Sequence, residues 1–379
     1  MNVVSVIDSF KGCASSSELS SWVREAILEV FPDASVHSCL IADGGEGMID
    51  ALLANVEGTR LTCQVHDPLM REIEAHYAIL KDGTTAVIET AQAAGLPLVQ
   101  ASQRNPLLTT TYGVGELIHD ALARGCKKVI IGLGGSATND AGIGMLHALG
   151  FRFLDREGRV LFQGGEVLEK IHTIDRSGAL NALKSCEFIA ACDVENPMIG
   201  VNGSARVYAA QKGADASMIE RLESGMQHFA QRLERALGHD VASQKGSGAA
   251  GGIAGGLHAF LNARLASGIE ILLDEMRFDA LIEDADLVIS GEGRIDAQSL
   301  MGKVLSGVAK RCQKAHVPLI ALGGGIDDAL EEHVGIDALF SIMRYPMRLE
   351  EAMNKANAQK LTRQSVKEIF RLIQAVRRK

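Results

Sequence analysis

Short apolar runs that break abruptly into glycine and a charged or hydroxyl residue recur along this 379-residue chain, and most are followed by a stretch with helical periodicity. In the clearest case Val129, Ile130 and Ile131 give way to Gly132, Leu133, Gly134, Gly135, Ser136, Ala137, Thr138, Asn139 and Asp140, with a helix expected from there to Gly150. Alternation of strand and helix leads to parallel pairing, because a strand that re-enters a sheet in the same direction needs a crossover. Similar breaks occur at residues 8–12, 43–47, 193–196 and 291–296. The carboxyl ends of strands form the binding edge of an open α/β sheet. Asp and Gly favour turns in any protein, but so many charged breaks together, with Lys11 and Arg294 among them, point to a site assembled from several loops.

The plain α/β alternation is strongest at the two ends of the chain. Residues 3–7 read as a buried strand. Ser15 followed by Glu18 forms a capping box ahead of Leu19, Trp22, Val23, Ala26, Ile27 and Val30. A second strand at 35–41 and a helix over 49–53 complete the start, and strands return at 287–289, 318–322 and 338–342. Between them, residues 61–89 read as strands separated by Asp67-Pro68 and by Lys81-Asp82-Gly83, an antiparallel patch. Helices at 114–124, ended by Gly125, and at 218–237 flank strands at 129–131 and 188–192. The fold class expected is α/β with two α/β domains. One is a discontinuous three-layer domain built on a parallel sheet, residues 1–62 plus 284–379. The other is an inserted mixed α/β domain, residues 63–283, with the ligand expected in the cleft between the two.

Composition narrows the function. An apolar fraction of 47% fills two cores, and a net charge of −9 argues against nucleic acid or an anionic membrane as partner, so any anionic ligand must be held by local donors. The seven cysteines show no C-x-x-C pair and no cysteine–histidine cluster, which argues against a disulfide framework and a zinc site and suits a reducing cytoplasm. Asp8 interrupts the first apolar run too early for a signal peptide, and no segment is long enough for a membrane span. Small-molecule chemistry by a cytoplasmic monomer or homodimer is the expectation.

The loop at residues 134–140 combines glycines, which let a backbone approach a bulky anion, with hydroxyls, an amide and a carboxylate that suit phosphate and Mg²⁺. The helix expected directly after it aims its N-terminus at the same place. Residues 246–251 match G-x-G-x-x-G, yet no strand precedes them and no acidic residue ends a strand about twenty positions on, so a dinucleotide fingerprint is refused. They read instead as a phosphate-approach or hinge loop. Gly302 and Lys303 lack the rest of a Walker A loop. His119, His147 and His258 have no metal-ligand spacing, and the run Val366, Ile369, Phe370, Ile373, Val376 reads as a helix docked on the protein's own sheet.

Residues 8–12 (DSFKG), 42–47 (ADGGEG), 105–112 (NPLLTTTY), 134–140 (GGSATND), 211–213 (QKG), 248–252 (GAAGG) and 291–299 (GEGRIDAQS), in that order, resemble the bacterial glycerate kinase family across essentially the whole chain. Ile7, Met48 and Gly324 depart from the family's usual residues. The resemblance implies that one domain is flavodoxin-like and that the activity is ATP-dependent, Mg²⁺-assisted phosphorylation of D-glycerate, usually to the 2-phosphate. On that reading Gly134, Gly135, Ser136, Thr138, Asn139, Gly291 and Gly293 bind the nucleotide. Asp43, Glu46 and Asp140 belong to the metal. Lys11 and Arg294 neutralise the γ-phosphoryl or the substrate carboxylate, Asp193 or Asp296 takes the hydroxyl proton, and Asp8, Ser9 and Lys212 contact substrate. The competing readings are a kinase or phosphatase of another small hydroxy acid and a catalytically silent metabolite sensor.

Overall fold

A computed structural model of the chain describes residues 1–41, 47–297, 299, 303–327 and 335–378. Its strands, in chain order, are β1 (Asn2–Ile7), β2 (Ser35–Leu40), β3 (Gly58–His66), β4 (Glu72–Leu80), β5 (Thr85–Glu89), β6 (Lys128–Gly132), β7 (Arg152–Leu154), β8 (Thr173–Asp175), β9 (Glu187–Ala191), β10 (Arg264–Ala266), β11 (Leu287–Ile295), β12 (Leu319–Ile326) and β13 (Ala338–Ser341). The chain forms two compact units. One comprises Met1–Asp43, Asp50–Asn55 and Ile269–Lys379, the other Gly44–Ile49 and Val56–Gly268.

The first unit carries a five-stranded sheet, β13-β12-β11-β1-β2, with every neighbouring pair parallel. Counted within the unit this is the order 2-1-3-4-5, the flavodoxin-like arrangement. Both faces are apolar because side chains alternate along a strand while helices cover each side. Val3 and Ile7 of β1 join Leu287 and Ile289 of β11 in a core with Leu19, Trp22, Val23 and Phe370. Val4, Val6 and Val288 face the opposite way, toward Leu305, Val308 and Cys312. Ile269, Leu273, Phe278 and Ile282 belong to this second layer, so the compact unit resumes at Ile269, earlier than the residue 284 expected for the second segment.

The Ser16–Val30 helix starts in the expected capping box. Glu18 N donates to Ser15 Oγ at 3.3 Å and Ser15 N donates to Glu18 Oε2 at 3.0 Å, an arrangement that stabilises a helix start by about 1 kcal/mol. The Lys355–Arg377 helix lies against it. Phe31 and Phe370 meet edge to face at 6.1 Å, and Arg363 and Lys367 pair with Glu25 and Glu29. Val366, Ile369 and Phe370 are buried as their spacing predicts, whereas Val376, the last residue of that stripe, is 65% exposed.

The second unit holds a six-stranded sheet, β10-β9-β6-β5-β4-β3. Its β5, β6, β9 and β10 run parallel, while β3, β4 and β5 form the antiparallel patch expected between residues 61 and 89. Asp82 shapes the turn before β5 by accepting from Thr84 N and Thr85 N, both at 2.8 Å. β7 and β8 make a separate two-stranded ribbon. No helix among the described residues is long and apolar enough to cross a membrane.

Candidate active-site edges

In the first unit the crossovers leave β1 and β11 toward opposite sides of the sheet, so their adjacent carboxyl ends form the topological switch point. Asp8 follows β1, is 7% exposed, and its N–H donates to Gly291 O at 2.9 Å. Its Oδ1 accepts from Ser9 N at 2.6 Å. Phe10 and Ala14 exchange backbone bonds and close a tight loop around Lys11 and Gly12. Ser9, Lys11, Gly12, Ser15 and Glu18 border a hollow of about 440 Å³.

The β11 side of this edge carries residues 291–299. A Cβ on Gly291 would lie 2.2 Å from Leu322 O, so this glycine is required by the approach of β11 to β12, whatever it does for a ligand. Gly293 lies beside Phe10. Arg294 is 72% exposed and pairs with Asp327 at 3.5 Å, not with Glu292 or Asp296. Asp296 accepts from Ser299 N at 3.2 Å and from Ser299 Oγ at 3.4 Å, a local turn. Glu292 points inward: its Oε1 is enclosed and has no hydrogen-bond partner among the described residues. Burial raises its carboxyl above the ordinary range, nearby Asp8 and Asp296 add to the rise, and Ser299 and Lys303 oppose it.

In the second unit the loop after β6 is held from behind by its carbonyls. Thr90 Oγ1 donates to Gly134 O at 3.1 Å, Leu96 N to Gly135 O at 2.8 Å, Thr109 Oγ1 to Ala137 O at 2.8 Å, and Lys212 Nζ to Thr138 O at 2.7 Å. Among the described residues the N–H groups of Gly134, Gly135, Ser136 and Thr138 have no acceptor. Thr138 Oγ1 and Asn139 Nδ2 are buried and equally unpartnered, although Asn139 Oδ1 accepts from Ser204 Oγ at 3.2 Å. Ser136, Thr138 and Asn139 are buried, and buried polar groups are nearly always paired, so their unused donors suit a ligand with acceptor oxygens, while those of half-buried Gly134 and exposed Gly135 are open to solvent. A cavity of about 390 Å³ opens beside it, lined by Gly134, Gly135, Ser136, Asp193, Tyr208 and Lys212 among others.

Lys212 is 3% exposed. Its Nζ also donates to Ser136 Oγ at 3.0 Å, which leaves the third ammonium hydrogen without an acceptor among the described residues. Burial pushes its pKa down to about 7, an effect that the charge of Asp140 partly offsets. Asp193 reaches the same cavity, and its Oδ1 accepts from Gly268 N at 2.9 Å. The 246–252 segment packs against the loop and supports it. Gly251 has φ +77°, and a Cβ there would lie 2.1 Å from Thr138 O; its carbonyl accepts from Ala141 N at 3.0 Å.

Asp140 takes a different place from the one expected. It is 0% exposed, and its two oxygens accept from Thr111 N and Oγ1, both at 2.9 Å, from Gly142 N at 3.1 Å and from Gly144 N at 3.4 Å. Burial raises its carboxyl, and these donors hold it down. The helix it caps, Ile143–Ala148, is separated from Asp140 by two residues rather than following it directly, and Thr111 Oγ1 accepts from Met145 N at 2.9 Å. The amide groups of that helix end are therefore already used within the protein, so the loop and not the helix dipole supplies the free donors. A carboxylate saturated in this way does not fit a metal ligand. Asp43 and Glu46 lie outside the described residues, and among the described residues no group of three acidic, histidine or cysteine side chains could cage a metal ion. His147 stacks on Phe162 at 4.5 Å, His258 Nδ1 lies 2.9 Å from Ala263 O, and His119 is exposed, all structural or surface settings.

A model described as the glycerate kinase family matches residues 3–374. Glycerate 2-kinase of Escherichia coli K12 is 44% identical over 359 residues, 94% of each chain, and glycerate kinase of Bacillus cereus is 45% identical over the same shares. A crystal structure of a Salmonella typhimurium LT2 protein assigned as glycerate kinase 2 superposes with a TM-score of 0.88 at 40% identity, covering all of both chains.

Proposed function

Because the chain belongs to the glycerate kinase family, we propose that this enzyme transfers the γ-phosphoryl group of ATP to D-glycerate and releases 2-phospho-D-glycerate and ADP. The observation that carries the ATP reading is the loop at residues 134–138, where unused N–H donors and the buried ammonium of Lys212 border one cavity. A polyphosphate supplies acceptors for those donors and a negative charge for that ammonium. Gly134, Gly135, Ser136 and Thr138 hold the phosphates in this scheme, with Asn139 Nδ2 as a further donor. Lys212 serves the phosphates rather than the substrate carboxylate, since two of its hydrogens already fix the phosphate-binding loop.

The glycerate carboxylate and the transferring group are assigned to the first unit. Ser9 and Lys11 follow β1, Arg294 offers a planar pair of donors at the end of β11, and Gly293 lets the β11 end lie beside Phe10 and Lys11. Phosphoryl transfer depends chiefly on positioning and charge neutralisation, which this set of groups supplies. Mg²⁺ accompanies ATP as the counter-ion of its phosphates, since such an ion keeps much of its water and binds few carboxylates. Seven free thiols suit a reducing cytoplasm.

The test is ADP release measured over D-glycerate, glycolate, lactate and tartronate, with phosphorus NMR of the product. D-Glycerate is expected to be turned over fastest and to give the 2-phosphate. Faster turnover of a hydroxy acid other than glycerate, or release of phosphate in place of ADP, would refute the reading.

A further inference from the structure

We propose that Glu292 is the catalytic base of this enzyme, taking the proton from the substrate hydroxyl as its oxygen attacks the γ-phosphorus; the inference rests on the kinase reading given above. Glu292 lies on β11 at the switch-point edge, the part of the first unit that also carries Asp8, Ser9 and Lys11. Its backbone is held in the ladder opposite Gly323 of β12, so the side chain starts from a fixed strand rather than from a mobile loop.

A base needs a free lone pair where the substrate can reach it. The carboxylates that the sequence suggests for the task do not have the same freedom. Asp193 accepts from Gly268 N, and Asp296 is engaged by Ser299 N and Oγ in a turn. Among the described residues Glu292 Oε1 is enclosed without a hydrogen-bond partner, although the Ser299 side chain that engages Asp296 also acts on the Glu292 carboxyl by hydrogen bonding. Leaving a buried acceptor unmade costs about 1–3 kcal/mol, a cost that a donor hydroxyl on a bound ligand removes. Among the described residues no cation pairs with Glu292: Arg294, two residues on, turns to Asp327, and Lys303 acts on it only at a distance.

The surroundings also tune it. Asp8 from the end of β1 and Asp296 from the turn after β11 both make its ionised form less favourable, Ser299 and Lys303 favour that form, and burial is the largest effect. A carboxylate raised in this way takes a proton more readily than Asp or Glu in water. In the step proposed, a bond forms between the substrate oxygen and the γ-phosphorus while the bond from that phosphorus to the β,γ-bridging oxygen breaks. The electron pair leaves with ADP and the hydroxyl proton goes to Glu292 Oε1.

The experiment compares wild type with Glu292→Gln and Glu292→Asp on whichever hydroxy acid the wild type phosphorylates best, so a failed substrate assignment shows in the wild type alone. Glu292→Gln is expected to lower kcat by roughly 100-fold or more, with substrate KM changed by less than a few fold and thermal stability kept. Glu292→Asp should retain part of the rate. The wild-type acid limb of kcat should lie above the ordinary glutamate range and be absent from the residual Glu292→Gln rate. An unchanged kcat and acid limb in Glu292→Gln would overturn the proposal. So would recovery of the Glu292→Gln rate at raised Mg²⁺, which would assign the carboxylate to the metal. Should Glu292→Gln fail to fold, the Glu292→Asp rate and the wild-type acid limb decide: full activity in the first or an ordinary glutamate value in the second rejects it.

Discussion

Replacing Lys212 by Met tests whether a buried, underused ammonium really sits behind the phosphate-binding loop. In the unfolded chain a lysine holds its proton up to about pH 10.5, whereas Lys212 in the fold loses it near 7. Between those values the unfolded state binds the additional proton, so stability rises with pH across this window. At 1.36 kcal/mol per unit the full interval corresponds to about 5 kcal/mol, and the part between pH 6 and pH 9 to about 3 kcal/mol. Lys212→Met cannot titrate, while every other group is shared. The unfolding free energy of wild type minus that of Lys212→Met should therefore increase by about 3 kcal/mol from pH 6 to pH 9. Urea denaturation followed by circular dichroism at matched ionic strength measures both curves. The loss of the bonds to Ser136 Oγ and Thr138 O offsets the two proteins from each other at every pH and does not alter the slope. Parallel profiles, differing by less than about 1 kcal/mol over this range, would refute the desolvation argument and with it the assignment of Lys212 as a charge waiting for an anion.

Two further substitutions separate chemistry from scaffold. Arg294→Ala removes a side chain that is 72% exposed and should shift stability by no more than about 0.5 kcal/mol, while kcat falls roughly 100-fold or more; undiminished turnover would exclude Arg294 from the reaction. Asp140→Ala should act in the opposite way, through the fold. It strips the acceptor from the N–H groups of Thr111, Gly142 and Gly144, each worth about 1–3 kcal/mol when orphaned, so urea denaturation should report a loss of at least about 3 kcal/mol, and an unchanged midpoint would count against a scaffolding role.

The sheet of the first unit was legible because burial on both faces writes a nearly continuous apolar run, as in residues 3–7 and 287–289, and because glycine and charge mark where each run ends. The capping box at Ser15 and Glu18 was equally plain, since its bonds join residues three apart. Elements of three residues were not. β7, β8 and β10 are too short to show a period, and they exist because neighbouring segments offer them partners. The positive φ values at Ala250, Gly251 and Gly252 were hidden for a related reason: an alanine–glycine run reads as helix packing or as a hinge until the backbone of residues 138–141 is seen beside it.

Carboxylates show the limit most clearly. In sequence Asp140 closes a glycine loop that follows a strand, Asp193, Glu292 and Asp296 lie beside glycine or at a strand end, and nothing in their spacing separates them. What separates them is the number of donors each meets after folding. Asp140 meets four and becomes part of the frame, whereas Glu292 keeps one enclosed oxygen without any. Capping and turn bonds are made by the same oxygens that chemistry would need, so a carboxylate that builds its own loop has little left to offer a ligand. The ranking of acids by sequence prominence is therefore reversed by the fold. The aspartate in the most conspicuous glycine loop supports that loop, and a glutamate to which the sequence motifs assign no role holds the lone pair that a hydroxyl proton requires.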